Sequence, residues 1–144
     1  MTGNADLLSV SDLSLEFRTR AGAVHALDHV NFSISEGEIV GVVGESGSGK
    51  SVMAYAMMGL LDRAGRITSG EVNYRGTPIS RLREPALRRL RGAEISMVFQ
   101  SPRSALNPIR TVGLQLTDVI REHRGIGKRA AREKAVEMLA MVKI

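Results

Sequence analysis

The chain has no cysteine and no tryptophan. Without thiols it can form no disulfide, no thiolate zinc site and no iron–sulfur cluster. Aromatic residues make up only 3%, so aliphatic side chains and methionine must fill the interior. No uncharged apolar run approaches the roughly 18 residues that a membrane-spanning helix needs. The first residues, MTGNADLLSV, lack a basic segment followed by an apolar stretch, so no signal peptide is expected and a cytosolic location is. Repeats and low-complexity segments are also absent. What remains is 144 residues with an ordinary 43% hydrophobic content and a net charge of +5, enough for one domain with a core.

The positive charge is uneven. Arg81, Arg83, Arg88, Arg89 and Arg91 fall close together. They suit a nucleic-acid groove, a solvated helix face, or a face near anionic lipid. No aromatic residue interleaves with them, so stacked bases would find no platform, and the solvated face is the better reading. His25 and His29 lack metal-ligand spacing and read as strand surface.

The segment Gly44-Glu45-Ser46-Gly47-Ser48-Gly49-Lys50-Ser51 fits the phosphate-binding pattern G-x-x-x-x-G-K-[ST]. Ile39 to Val43 before it reads as a short buried strand, and Ser51 to Leu61 after it as a helix. Glycines let consecutive backbone N–H groups turn inward around a polyphosphate, and the helix N-terminus adds a favourable dipole. Lys50 would reach the β- and γ-phosphates and the Ser51 hydroxyl would bind Mg²⁺. A flexible Gly/Ser linker is the bland alternative, but the flanking strand and helix argue against it. Met53, Tyr55, Met57 and Met58 on the following helix read as an apolar face packed on a sheet.

Elsewhere the pattern alternates or turns. Leu13, Leu15 and Phe17 alternate with polar residues, as do Val30, Phe32 and Ile34 after a turn at Ala21-Gly22. Gly70 to Gly76 reads as a strand ending in a turn. Leu82 to Leu90 reads as a basic amphipathic helix with Pro85 in its first turn. Ile95 to Phe99 is a second apolar run, placed as a parallel strand beside Ile39–Val43. Gln100 closes it. Ser101-Pro102 and Asn107-Pro108 then make a loop. Helical spacing returns at Val112, Leu116, Val119 and Ile120, and again at Ala131, Ala135, Met138, Leu139 and Val142.

These stretches together resemble the ATP-binding subunit of ABC transporters. The resemblance rests on LSLEF ending at Phe17, His25 to Ser51, SGEVNYRG at Ser69 to Gly76, Arg88 to Pro108, and TVGLQL from Thr111. The wording GESGSGKS followed by ISMVFQSP and LNP is similar to the branch that imports dipeptides, oligopeptides and nickel. The implied fold is α/β: a P-loop NTPase core with an antiparallel β-subdomain, breaking off within the helical subdomain. Residues 1–144 would be the N-terminal portion of one ATP-binding domain.

The resemblance also implies roles. Gly44 to Val52 would bind the phosphates of ATP, with Lys50 catalytic. Gln100 matches the glutamine that contacts Mg²⁺ and moves with the permease, so it joins Lys50 among catalytic residues and Ser51 among metal ligands. Phe17 falls where the family often places an aromatic against adenine, although it also fits the alternating core face. Implied partners are ATP, membrane permease subunits and a second ATP-binding subunit, identical or related. Neither nucleic acid nor a transmembrane segment of its own is expected. The implied location is peripheral, on the cytoplasmic face of the bacterial inner membrane. The family's signature motif, its apolar strand ending in Asp-Glu and its switch histidine do not occur in these residues. Weak nucleotide affinity, little hydrolysis and exposed apolar surface on Val40, Val42, Met97 and Phe99 are therefore expected. A non-catalytic nucleotide-binding fragment or another P-loop NTPase are the alternatives. Two strands before the P-loop disfavour a kinase, and the lack of N/T-K-x-D disfavours a GTPase.

Overall fold

The computed structural model describes residues 6–101 and 105–144. The expected loop residue Pro102, with Arg103 and Ser104, lies outside them. The chain divides into two compact units, one ending at Arg88 and the other beginning at Arg89.

The first unit is built on an antiparallel sheet. Strand β1 spans Leu8–Thr19, β2 Gly22–Ile34, β3 Gly65–Tyr74 and β4 Thr77–Pro78, in the spatial order β2-β1-β3-β4. Leu15 lies opposite Leu27 on β2 and Ile67 on β3. The alternation read from Leu13 and Leu15 is real, since both are fully buried. It does not run unbroken through the strand. Leu8 and Val10 are also buried, on positions of opposite parity, so the strand must change phase between them. It does so at Asp12, whose φ is 52°, beside His29 at 48° and Gly70 at 76°. The register shifts on both sides of β1 at this point, which is how a bulge returns both apolar pairs to one face.

Side chains hold this irregularity. The Asp12 N–H donates to Asn31 Oδ1 at 2.8 Å, the Asn31 amide donates to the His29 carbonyl at 2.8 Å, and the His29 N–H donates to Ser14 Oγ at 3.0 Å. Gly70 lets β3 pass, because a Cβ there would sit 2.2 Å from the Asp12 carbonyl oxygen.

Helix α1 (Lys50–Met57) packs on this sheet through Met53 and Ala56, with Met58 buried just beyond; of the other residues read as its apolar face, Met57 is half-buried and Tyr55 is exposed. It is shorter than the span to Leu61, because Gly59 turns left-handed at φ 61°. A 3-10 turn at Ile79–Arg81 follows β4 and buries Ile79 completely. Helix α2 (Glu84–Leu90) carries Pro85 in its first turn and buries Leu87. Arg81, Arg83 and Arg88 are exposed, and Arg81 pairs with Glu71 at 3.2 Å, as on a solvated face.

Two expected strands are corrected. Neither Ile39–Val43 nor Ile95–Phe99 belongs to the sheet. Ile39 and Val43 are 97% and 94% exposed. A buried parallel strand needs neighbours for its N–H and C=O groups and covering helices for both faces. The described residues pair no strand with either run beyond a single bridge between Arg91 and Ile95. Val40, Val42 and Phe99 are accordingly exposed and Met97 half-buried.

The second unit contains helix α3 (Val112–Arg124) and helix α4 (Lys128–Met141). Thr111 caps α3 by accepting the Leu114 N–H, and Gly125 ends it with φ 62°. Ile120, Ala131 and Ala135 form the buried centre, flanked by Leu116 and Ile126. Val112, Val119, Met138 and Val142, also read as apolar-face positions, point outward instead. Two helices together present only one seam to each other, so the wider apolar stripe has nothing to cover its sides. No helix among the described residues is long and apolar enough to cross a membrane.

Candidate functional site

The loop from Gly44 to Ser51 forms despite the unpaired run before it. Its last glycine does two things. Gly49 has φ 90°, outside the range that side chains prefer, and it is the N-cap residue of α1. A Cβ at Gly49 would lie 2.8 Å from both the Ala26 carbonyl oxygen and Leu27 Cδ2 on β2. The loop is therefore seated against the antiparallel sheet where only glycine fits. Its first internal turn is closed by the Ser48 N–H donating to the Glu45 carbonyl at 3.2 Å, and α1 starts with the Met53 N–H donating to the Gly49 carbonyl at 2.8 Å.

Lys50 curls back into the loop. Its ammonium donates to the Gly44 carbonyl at 2.8 Å, the Glu45 carbonyl at 2.6 Å and Ser48 Oγ at 3.1 Å. An ammonium has three N–H donors, and each meets one of these oxygens. The loop thus wraps a fixed positive charge at the start of a helix. Helix geometry leaves the first-turn N–H groups without intrahelical partners, and their dipoles add to that charge. No side chain caps α1 and no acidic residue stands in its first turn, so nothing on the helix competes for an incoming anion. Gly44 to Ser48 and Ser51 are exposed and Val52 is half-buried.

This arrangement fits a polyphosphate: an exposed loop, a lysine centred in it, and a helix N-terminus behind it. For Mg²⁺ the fit is narrower. Within the first unit the Ser51 hydroxyl, exposed in the first turn of α1, is an oxygen donor of the kind that ion takes. No group of three or more histidine, aspartate or glutamate side chains able to hold a metal occurs among the described residues. His29 Nδ1 faces Asp12 Oδ1.

Gly44, Glu45, Ser46, Gly47, Ser48, Gly49, Lys50, Ser51 and Val52 are contiguous in the first unit. Phe17 is in the same unit on β1, paired in register with Val24 and Gly65. Its ring packs on Gly65, where an added Cβ would come within 3.0 Å of Phe17 Cε1, and it is half-buried. Gln100 belongs to the second unit and is exposed. Two contributors escaped the reading of the sequence. Ala26 and Leu27 on β2 form the wall behind Gly49, and no local pattern marks a residue that supports a loop more than twenty positions away.

The sequence pattern described as ABC transporter matches residues 27–144. The dipeptide transport ATP-binding protein of Escherichia coli (strain K12) is 42% identical over 138 residues, covering 96% of this chain and 42% of that protein. The dipeptide transport ATP-binding protein of Haemophilus influenzae is 39% identical over 138 residues, with the same two coverages of 96% and 42%. The chain thus spans less than half the length of the curated relatives it matches. Among solved structures, a dimeric bacterial ABC transporter cassette superimposes with a TM-score of 0.76 at 29% identity, covering 95% of this chain and 57% of that one. A dimeric post-hydrolysis state of an ATP-binding cassette, bound to ADP and Pi, superimposes with a TM-score of 0.74 at 28% identity, with coverages of 95% and 57%. With its glycine loop closed on Lys50, an antiparallel sheet behind it and a family match over more than half its length, this chain belongs to the ABC transporter family.

Proposed function

We propose that these residues are the N-terminal, phosphate-binding portion of the ATP-binding subunit of an ABC importer for peptides or a related solute. The observation that carries this is the Lys50 ammonium held inside the Gly44–Ser51 loop at the head of α1. The names of the similar proteins support the peptide branch.

Bound ATP with Mg²⁺ supplies the phosphoryl group and its countercharge. Lys50 would trade its loop carbonyls for phosphate oxygens. The N–H groups from Gly47 to Ser51 would donate hydrogen bonds to the remaining phosphate oxygens. The Ser51 hydroxyl would offer an oxygen to the metal, and Phe17 a ring face to adenine. No apolar run in these residues ends in the Asp-Glu pair that would polarise water, so they bind nucleotide without turning it over. In the complete subunit, a second copy or a related subunit closes over the ATP. Gln100 and its loop pass that motion to a permease, and the subunit sits peripherally at the cytoplasmic membrane face.

A fluorescent ATP analogue with Mg²⁺ tests this. Saturable binding that Lys50→Ala weakens at least about tenfold, without phosphate release, is the expected result; one charge-assisted contact carries roughly that much. Equal binding by a folded Lys50→Ala variant would remove the phosphate site. Lys50-dependent phosphate release would show that another carboxylate polarises water.

A further inference from the structure

Immediately before α3 the chain makes a loop through Asn107 and Pro108 that belongs to no helix or strand. Side chains of α3 hold it. Gln115, half-buried and one turn into the helix, turns its carboxamide back onto the loop. Its Oε1 accepts the Asn107 N–H at 2.9 Å. Its Nε2 donates to the Asn107 carbonyl at 3.1 Å and to the Arg110 carbonyl at 3.0 Å. A carboxamide has one acceptor oxygen and two N–H donors, and all of these functions are engaged. To Asn107, Gln115 presents what a neighbouring strand would: an acceptor for its N–H and a donor for its carbonyl.

The loop is closed further from within. Asn107 Oδ1 accepts the Ile109 N–H at 3.0 Å, and the Thr111 hydroxyl caps the helix. The Arg110 guanidinium pairs with the Asp118 carboxylate, nearly one turn beyond Gln115. The loop nevertheless stays exposed, and Ile109 projects into solvent at 91% exposure. Such a segment buries too little apolar surface to be ordered by packing. Its order comes from the side chains of α3.

We infer that Gln115 is a positioning residue that makes residues 107–111 and helix α3 a single rigid body. Displacing Ile109 then displaces α3, because no backbone between them is free to absorb the movement. The rigid body follows from the hydrogen bonds themselves; its use in passing motion between a nucleotide and a permease rests on the importer reading above.

Amide hydrogen exchange on the 144-residue chain tests the inference without nucleotide, so its outcome is independent of the phosphate site. In the parent chain the Asn107 and Ile109 amides are expected to exchange slowly for a loop. In Gln115→Ala they should exchange about tenfold faster, the shift that roughly one lost hydrogen bond produces. Amides in the later turns of α3, from Val119 onward, should not change. Gln115→Glu keeps an acceptor for the Asn107 N–H and loses both donors, so Asn107 should stay nearer the parent rate than in Gln115→Ala. Unprotected exchange at Asn107 in the parent chain would overturn the inference, as would unchanged exchange in Gln115→Ala. Equal acceleration of the loop and of α3 would show that Gln115 merely supports the helix.

Discussion

His29 Nδ1 lies 2.5 Å from Asp12 Oδ1, joining β2 to β1 where both strands carry a left-handed residue. The Asp12 carboxylate accepts a hydrogen bond from the imidazolium and attracts its charge, Asp28 adds attraction, and slight desolvation opposes them, so the His29 pKa is raised. A raised folded-state pKa stabilises the fold fully below the unfolded value of about 6.5, and that contribution is lost as pH rises through the folded value. The pair is exposed, so its effect is small and screened by salt. The urea midpoint should fall slightly between about pH 6 and about pH 9, and His29→Gln should flatten that slope. A parent chain with no such fall, or a variant that retains it, would show that the pair does not stabilise the bulge.

Gly49→Ala tests how the loop is seated. The new methyl would meet the Ala26 carbonyl and Leu27 Cδ2 at 2.8 Å while the backbone holds φ 90°. Overpacking and a left-handed alanine together cost about 2–4 kcal/mol. Chemical denaturation should show that loss. Gly47→Ala is the control, because it shares the strained φ but meets nothing within 4 Å, and it should lose about 1 kcal/mol.

Phe17 can be separated into its two roles. Phe17→Leu keeps apolar contact with Gly65 and removes the aromatic face. If the ring stacks on adenine, affinity for an ATP analogue should fall about fivefold to tenfold while thermal stability changes little, as for an aromatic pair worth about 1 kcal/mol. Lower stability with unchanged affinity would assign Phe17 to packing alone.

The elements legible in the sequence are those whose burial is satisfied locally. Leu13 and Leu15 alternate because β1 has partners on both sides. Ile120, Ala131 and Ala135 keep helical spacing because α3 and α4 pack on each other. The Gly44–Ser51 loop was legible because its pattern is confined to consecutive residues. Ile39–Val43 shows the opposite case: its composition describes a strand between two others, and composition alone does not supply them. The bulge left a trace in the parity change from Val10 to Leu13, which an alternation begun at Leu13 passes over. Gln115 left none, since a polar residue on a helix looks the same whether it faces water or a loop.

The uncovered run Ile-Val-Gly-Val-Val at residues 39–43 also bears on how the chain behaves in a crowded solution. It is β-prone, uncharged and free of proline, the composition of segments that stack into cross-β aggregates. Its neighbours counter this. Glu36 and Glu38 precede it and Glu45 follows, so copies aligned in register would bring like charges together at both ends. Added salt would screen that repulsion, and the 144-residue chain should keep best in low-salt buffer, where these gatekeepers act at full strength.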